Sequence, residues 1–145
     1  MSDALASGYQ ASCAARHKPL PITDMTVLIC ENQEILITAI EFRLRKYGME
    51  IILAKSIEVA LHKVKNEAPK LVITDQELAD GDGIELIQQL RDDPDCADIP
   101  IILIVELDNE EAIQRGFELN IQDFVTKPFK PTELALRAQR ITLRT

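Results

Sequence analysis

Four short stretches of this chain run apolar and then stop at residues able to do chemistry. VLIC (27–30) runs into Glu31 and Asn32, and KLVITD (70–75) ends on Asp75. IPIILIV (99–105) leads through Val105 to Glu106, and QDFVT (122–126) is followed by Lys127 and Pro128. Carboxylates gathered with one amine are not core chemistry. Brought together, they suit a hard divalent cation held by oxygens, with Lys127 compensating the excess negative charge. Within such a set Asp75 is either a simple ligand or a nucleophile toward a phosphoryl group. Carboxylates form acyl phosphates when a metal and a cation neutralise the incoming oxygens.

Positioning that set requires strands alternating with helices. VLIC is continuously apolar, the pattern of a strand covered on both faces. QEILITAIEFRLRKYG (33–48) spaces Ile37, Ile40, Leu44 and Tyr47 as a helix does and stops at Gly48. MEIILA (49–54) predicts a second strand. SIEVALHKVKNE (56–67) predicts a helix with Ser56 as N-cap and Ile57, Ala60, Leu61 and Val64 on one face. KLVITD is the third strand, and the turn-rich ADGDG (79–83) breaks the chain after it. IELIQQLRDD (84–93) is helical, IPIILIV a fourth strand, NEEAIQRGFELN (109–120) helical, and QDFVT a short fifth strand. PTELALRAQRITL (131–143) is the last helix, with Pro131 suited to an early helical position. Parallel pairing through helical crossovers is the economical solution for this order. The expected fold class is α/β: a (βα)5, doubly wound, five-stranded parallel sheet in a three-layer sandwich. Open sheets of this kind bind ligands outside the carboxyl ends of their strands, at the topological switch point. Glu31, Asn32, Asp75, Glu106 and Lys127 share that rim if strands one, three, four and five are neighbours.

The bulk properties set bounds. With 145 residues, 46% of them apolar, the chain has room for one domain and one core. Residues 1–25 are rich in small and polar types and carry Pro19 and Pro21, so a flexible leader or short extra helix is expected there, with the compact domain over 26–145. Sixteen basic residues against 24 acidic ones leave a net charge of −8, which argues against direct nucleic-acid binding by this domain. Arg137, Arg140 and Arg144 lie close together, but cations near a helix C-terminus are explained by its dipole. Cys13, Cys30 and Cys96 are far apart, which favours neither a disulfide framework nor zinc. The absence of a signal pattern and of a membrane-length apolar run leads to the expectation of a cytoplasmic protein.

From about Thr26 to Leu143 the chain resembles the receiver domains of two-component response regulators, a flavodoxin-like, CheY-like family. The resemblance rests on VLICENQE, KLVITD, DGDG, DDPDCADIPIILI and DFVTKPF, and the KPF motif at Lys127, Pro128 and Phe129 is its most specific part. It implies that Asp75 is the phosphoacceptor and that Lys127 meets the phosphoryl oxygens. It further implies that Glu31, Asn32, Asp75 and the backbone carbonyl of Glu77 hold Mg2+, and that the Lys127–Pro128 bond is cis. Val105, Glu106 and Phe124 take the switch positions. Phosphorylation would then reshape the face made by the fourth helix, fifth strand and fifth helix. The implied partners are a sensor histidine kinase or phosphotransfer protein and a downstream protein target or fused effector domain. The implied chemistry is the domain's own phosphoryl transfer and dephosphorylation, not enzymatic turnover of a separate substrate.

The sequence departs from the family pattern at the site itself. Asn32 stands where the family has its direct metal-binding acid, and an amide brings no charge to Mg2+. Val105 replaces a Thr or Ser and cannot donate a hydrogen bond. Glu106 replaces a small residue with a carboxylate that repels a phosphoryl dianion. An alternative reading is therefore a pseudo-receiver that binds partners without phosphate. The last helix resembles receivers that form homodimers through paired charges: Asp123 and Arg137 match one such pair, whereas Ile113 and Gln139 replace charged members of others. A flavin or nucleotide site is disfavoured by the glycine-free turn CENQE. A D-x-D phosphatase is not met, because Gln76 and Glu77 follow Asp75.

Overall fold

A computed structural model describes residues 25–144, so the leader expected over residues 1–25 lies, Met25 apart, outside the described residues. Five strands alternate with five helices: β1 (Thr26–Cys30), α1 (Glu34–Lys46), β2 (Glu50–Ala54), α2 (Ile57–Glu67), β3 (Leu71–Asp75), α3 (Gly83–Asp92), β4 (Ile101–Glu106), α4 (Glu110–Glu118), β5 (Asp123–Lys127) and α5 (Pro131–Arg144). The strands form one parallel sheet in the order β2-β1-β3-β4-β5. The winding direction reverses between β1 and β3, which puts the switch point beside Asp75.

Strand parity sorts the core into two layers. Leu28, Cys30, Val72, Ile101, Leu103 and Val105 pack with Ala60 and Val64 of α2, Leu86, Ile87 and Leu90 of α3, and Ala112 of α4. Val27, Ile29, Leu71, Ile73, Ile102, Ile104 and Val125 pack with Ile40 and Leu44 of α1 and Leu134, Ala135 and Ala138 of α5. Because successive side chains leave a strand on opposite faces, the central strands are apolar over most of their length, with Thr74 a buried polar exception in β3.

Several boundaries differ from the sequence reading, each for a local reason. The fourth strand begins at Ile101 and not at residue 99, because Pro100 has no N–H to give a ladder; its carbonyl instead accepts from Val72 N at 3.0 Å. ADGDG is not a plain loop. Glu77–Leu78 pairs antiparallel with Gly81–Asp82, and Asp82 with Glu85 forms a capping box that starts α3. Ser56 caps α2 by accepting from Val59 N, and Asp80 from the loop after β3 adds a second cap, accepting from Ile57 N at 2.7 Å. Asn109 caps α4, accepting from Ala112 N at 3.1 Å. Among the described residues, no helix is long and apolar enough to cross a membrane.

Candidate functional site

The same parity that builds the core on the α1/α5 side delivers the polar set. Two residues beyond Ile29, Ile73, Ile104 and Val125 stand Glu31, Asp75, Glu106 and Lys127, where the strands run out of helix cover at their carboxyl ends. Glu106 and Lys127 are register partners across β4 and β5. Lys127 Nζ lies 2.6 Å from Asp75 Oδ2 and 3.9 Å from Glu106 Oε2. This close contact is a charge-assisted ion pair, in which the Lys127 ammonium donates to the buried Oδ2. Asp75 Oδ1 accepts from Glu77 N at 2.9 Å, which orients the carboxylate. Burial pulls the Lys127 ammonium down, but the Asp75 carboxylate more than offsets this and holds its pKa above that of a free lysine.

Glu31 is 1% exposed. Its Oε2 accepts from the Asn32 and Gln33 amides, both at 3.1 Å, while Oε1 is buried without any partner. Burial, reinforced by the neighbouring Asp75 carboxylate, pushes Glu31 up to about 7. Asn32, the next residue in the chain, is exposed. The Glu31 oxygen that no donor reaches, beside the Asp75 carboxylate, gives oxygen donors of the kind a hard divalent cation takes. Among the described residues no three acidic, histidine or cysteine side chains converge as a metal cage, in keeping with an amide at position 32.

The three residues that the resemblance puts at switch positions are arranged unlike one another. Val105 is fully buried in the α2–α3–α4 layer. Glu106 is half exposed beside Lys127. Phe124 is partly buried, edge-on to Phe117 with ring centroids 5.5 Å apart and planes at 81°. The Lys127–Pro128 peptide bond is cis.

Two residues that sequence reasoning missed complete the rim. Gln76 ties the end of β3 to the start of α4: its N donates to Ile104 O, and its Oε1 accepts from Glu106 N and from Asn109 Nδ2, both at 3.1 Å. Gly83 lies against the backbone of Asp75; a Cβ there would stand 2.2 Å from the Asp75 carbonyl oxygen. The turn residues of DGDG hinted at Gly83, but no local signal marks Gln76.

The sequence matches the family described as the response regulator receiver domain over residues 27–139. The chain belongs to that family. Among curated proteins it is 34% identical to the alkaline phosphatase synthesis transcriptional regulatory protein PhoP of Bacillus subtilis, over 81% of this chain and 48% of PhoP. It is 29% identical to the phosphate regulon transcriptional regulatory protein PhoB of Escherichia coli, over 81% of this chain and 52% of PhoB. The receiver thus spans about half the length of these relatives. Among solved structures, the signal receiver domain of a signal transduction histidine kinase from Syntrophus aciditrophicus matches with a TM-score of 0.76 at 27% identity, covering 83% of this chain and 91% of that one. The non-phosphorylated HemR receiver domain of Leptospira biflexa matches with a TM-score of 0.73 at 28% identity, covering 81% and 93%.

On the far side of this receiver, Asp123 and Arg137 pair within the chain rather than waiting for a partner. Arg137 donates to Asp123 Oδ2 at 2.7 Å and to Glu133 Oε2 at 3.2 Å, and Asp123 raises the Arg137 pKa. A pair between subunits would have to exchange these bonds.

Proposed function

We propose that this receiver accepts a phosphoryl group on Asp75 from a sensor histidine kinase or a phosphotransfer protein. The observation that carries the reading is the 2.6 Å approach of Lys127 Nζ to a buried Asp75 oxygen at the switch point of the sheet. An Asp75 oxygen attacks phosphorus, the P–N bond of the donor phosphohistidine breaks, and the imidazole nitrogen keeps the electron pair and takes up a proton. Lys127 meets the charge on the phosphoryl oxygens, a role for a cation held in place beside the acceptor. Glu31, Asn32, Asp75 and the Glu77 carbonyl would hold Mg2+. Bound there, the ion supplies further neutralisation of the transferring group. Hydrolysis of the acyl phosphate returns Asp75.

Output passes through the α4–β5–α5 face to a downstream protein or a fused effector domain, and any contact with nucleic acid belongs to that effector. Asp123 and Arg137 are candidates for a homodimer contact on this face, and the domain works in the cytoplasm. Acetyl phosphate with Mg2+ tests the reading by intact mass. One phosphoryl adduct on the wild type and none on Asp75→Asn supports it. No adduct on either chain sinks it and leaves a receiver that binds partners without phosphate.

A further inference from the structure

Glu106 has a role that the reading of Asp75 as phosphoacceptor does not assign, and on which the following rests. Three observations meet at this residue. Its carboxylate is the second ion-pair partner of Lys127, 3.9 Å from Nζ, after Asp75 at 2.6 Å. Its position is fixed by the sheet, since Glu106 and Lys127 are register partners at the ends of β4 and β5. Its backbone is the junction between the site and α4: Glu106 N donates to Gln76 Oε1, and Glu106 O accepts from Asn109 N at 3.1 Å. Asn109 also reaches Gln76 through its side-chain amide and caps α4 by accepting from Ala112 N.

The neighbouring Val105 is buried in the core and has no group with which to read a phosphoryl oxygen. A signal from Asp75 to α4 therefore needs another carrier. Before phosphorylation Lys127 pairs with the Asp75 and Glu106 carboxylates and also feels the charge of the buried Glu31. A phosphoryl group on Asp75 brings roughly two negative charges and three acceptor oxygens to the same ammonium. One lysine cannot neutralise all of them, and the half-exposed Glu106 side chain is free to leave, whereas Asp75 is not.

We propose that Glu106 is an internal anion that occupies Lys127 in the resting receiver. The incoming phosphoryl group displaces it, and the displacement is transmitted to α4 through the Gln76–Glu106–Asn109 hydrogen bonds. The residue acts in two ways. It slows phosphoryl uptake, because a fixed like charge beside the acceptor disfavours the approach of an anionic donor. It also reports uptake, because its expulsion pulls on the backbone that holds the α4 cap. With acetyl phosphate, an Asp75 oxygen bonds to phosphorus, the bond from phosphorus to the acetyl oxygen breaks, and acetate leaves with the electron pair.

The test compares the full chain with Glu106→Gln, a near-isosteric change on a half-exposed side chain. Labelling by acetyl phosphate is followed by intact mass, and amide shifts of residues 106–112 by NMR on adding beryllofluoride with Mg2+. The expected result is labelling of Glu106→Gln faster by about three- to ten-fold, an advantage that shrinks as salt rises. In the wild type the Glu106, Asn109 and Ala112 amides should shift on beryllofluoride binding, and in Gln76→Leu the Asn109 and Ala112 shifts should be lost. Adducts forming on both chains at equal rates, or more slowly on Glu106→Gln, overturn the role of Glu106 while leaving Asp75 as acceptor. So do unmoved Asn109 and Ala112 amides. No adduct on either chain overturns the acceptor reading and this inference together.

Discussion

Lys127 Nζ lies 2.6 Å from Oδ2 of Asp75, a side chain only 1% exposed, so this ammonium is aimed at an oxygen that water hardly reaches. Replacing it with methionine keeps the length of the side chain and removes the charge. Lys127→Met should lower the initial rate of labelling by acetyl phosphate by roughly 100-fold, the usual scale for losing a preorganised charge-stabilising group. Lys127→Arg should restore only part of it, since a planar fork does not place its charge where a compact ammonium does. Quenched time points read by intact mass check both.

Glu31 ties the site to pH. Its pKa is raised from 4.5 to about 7 by burial and then by Asp75. The metal-free folded state therefore keeps a proton that the unfolded chain releases. The sign follows: this group's contribution to stability is fully present below 4.5, fades as pH rises, and is lost above about 7. Cation binding needs the ionised form, so Mg2+ affinity should rise with pH up to about 7 and proton release on binding should be larger near pH 6 than near pH 8. Calorimetric titrations in two buffers of different ionisation enthalpy measure that release. In Asp75→Asn the pKa of Glu31 should fall, read from its carboxyl carbon shift.

Asn32 supplies an oxygen without a charge. Asn32→Asp adds a carboxylate at an exposed position next in the chain to the buried Glu31. Mg2+ affinity should tighten by about ten-fold, and less at high ionic strength because the position is open to solvent. Thermal stability without Mg2+ should fall, since a third acid then crowds Glu31 and Asp75. The difference between melting curves with and without Mg2+ separates the two effects.

Gly83 leaves no room for a side chain. A Cβ there would lie 2.2 Å from the Asp75 carbonyl oxygen and 3.1 Å from Thr74 Oγ1, and the first of these is backbone that must move. Gly83→Ala should cost about 2–4 kcal/mol in urea unfolding. It should also lower phosphoryl uptake, because the displaced strand end carries Asp75.

Much of this arrangement was legible in the sequence because the strand period is two. Once VLIC, KLVITD and IPIILIV are strands, Glu31, Asp75 and Glu106 fall on one face at one end, and Lys127 joins them from β5. The helix caps at Ser56 and the turn before α3 were likewise written locally. What could not be read were contacts set by register between distant segments. Gln76 follows Asp75 in the chain, but its bonds to Glu106 and Asn109 exist only because β3 and β4 are neighbours in a fixed register. The pairing of Asp123 with Arg137 inside the chain depends on how α5 lies against β5. Val105 takes a switch position only through the resemblance, and it lies fully buried in the layer that holds Ala112 of α4.

Arg91 is the clearest case of a residue whose importance is three-dimensional. It sits in the last turn of α3 like any dipole-complementing cation, yet its guanidinium donates to four backbone carbonyls. These are Leu119 O and Ile99 O at 2.7 Å, Ala97 O at 2.9 Å and Asn120 O at 3.1 Å. It therefore clamps the α3–β4 and α4–β5 connections, the two segments that set the height of β4 and β5 and hence of Glu106 and Lys127. Partial burial lowers its pKa but not enough to discharge an arginine near neutral pH. Arg91→Ala would leave several carbonyls without a donor and should cost about 2–4 kcal/mol, whereas a solvated helix-end cation would cost a few tenths. Arg91→Lys should recover less than half, because three donors on one nitrogen cannot span two loops. Urea midpoints decide between the two scales, and faster amide exchange confined first to Gln122 and Ile101 would show that the clamp holds the ends of β4 and β5.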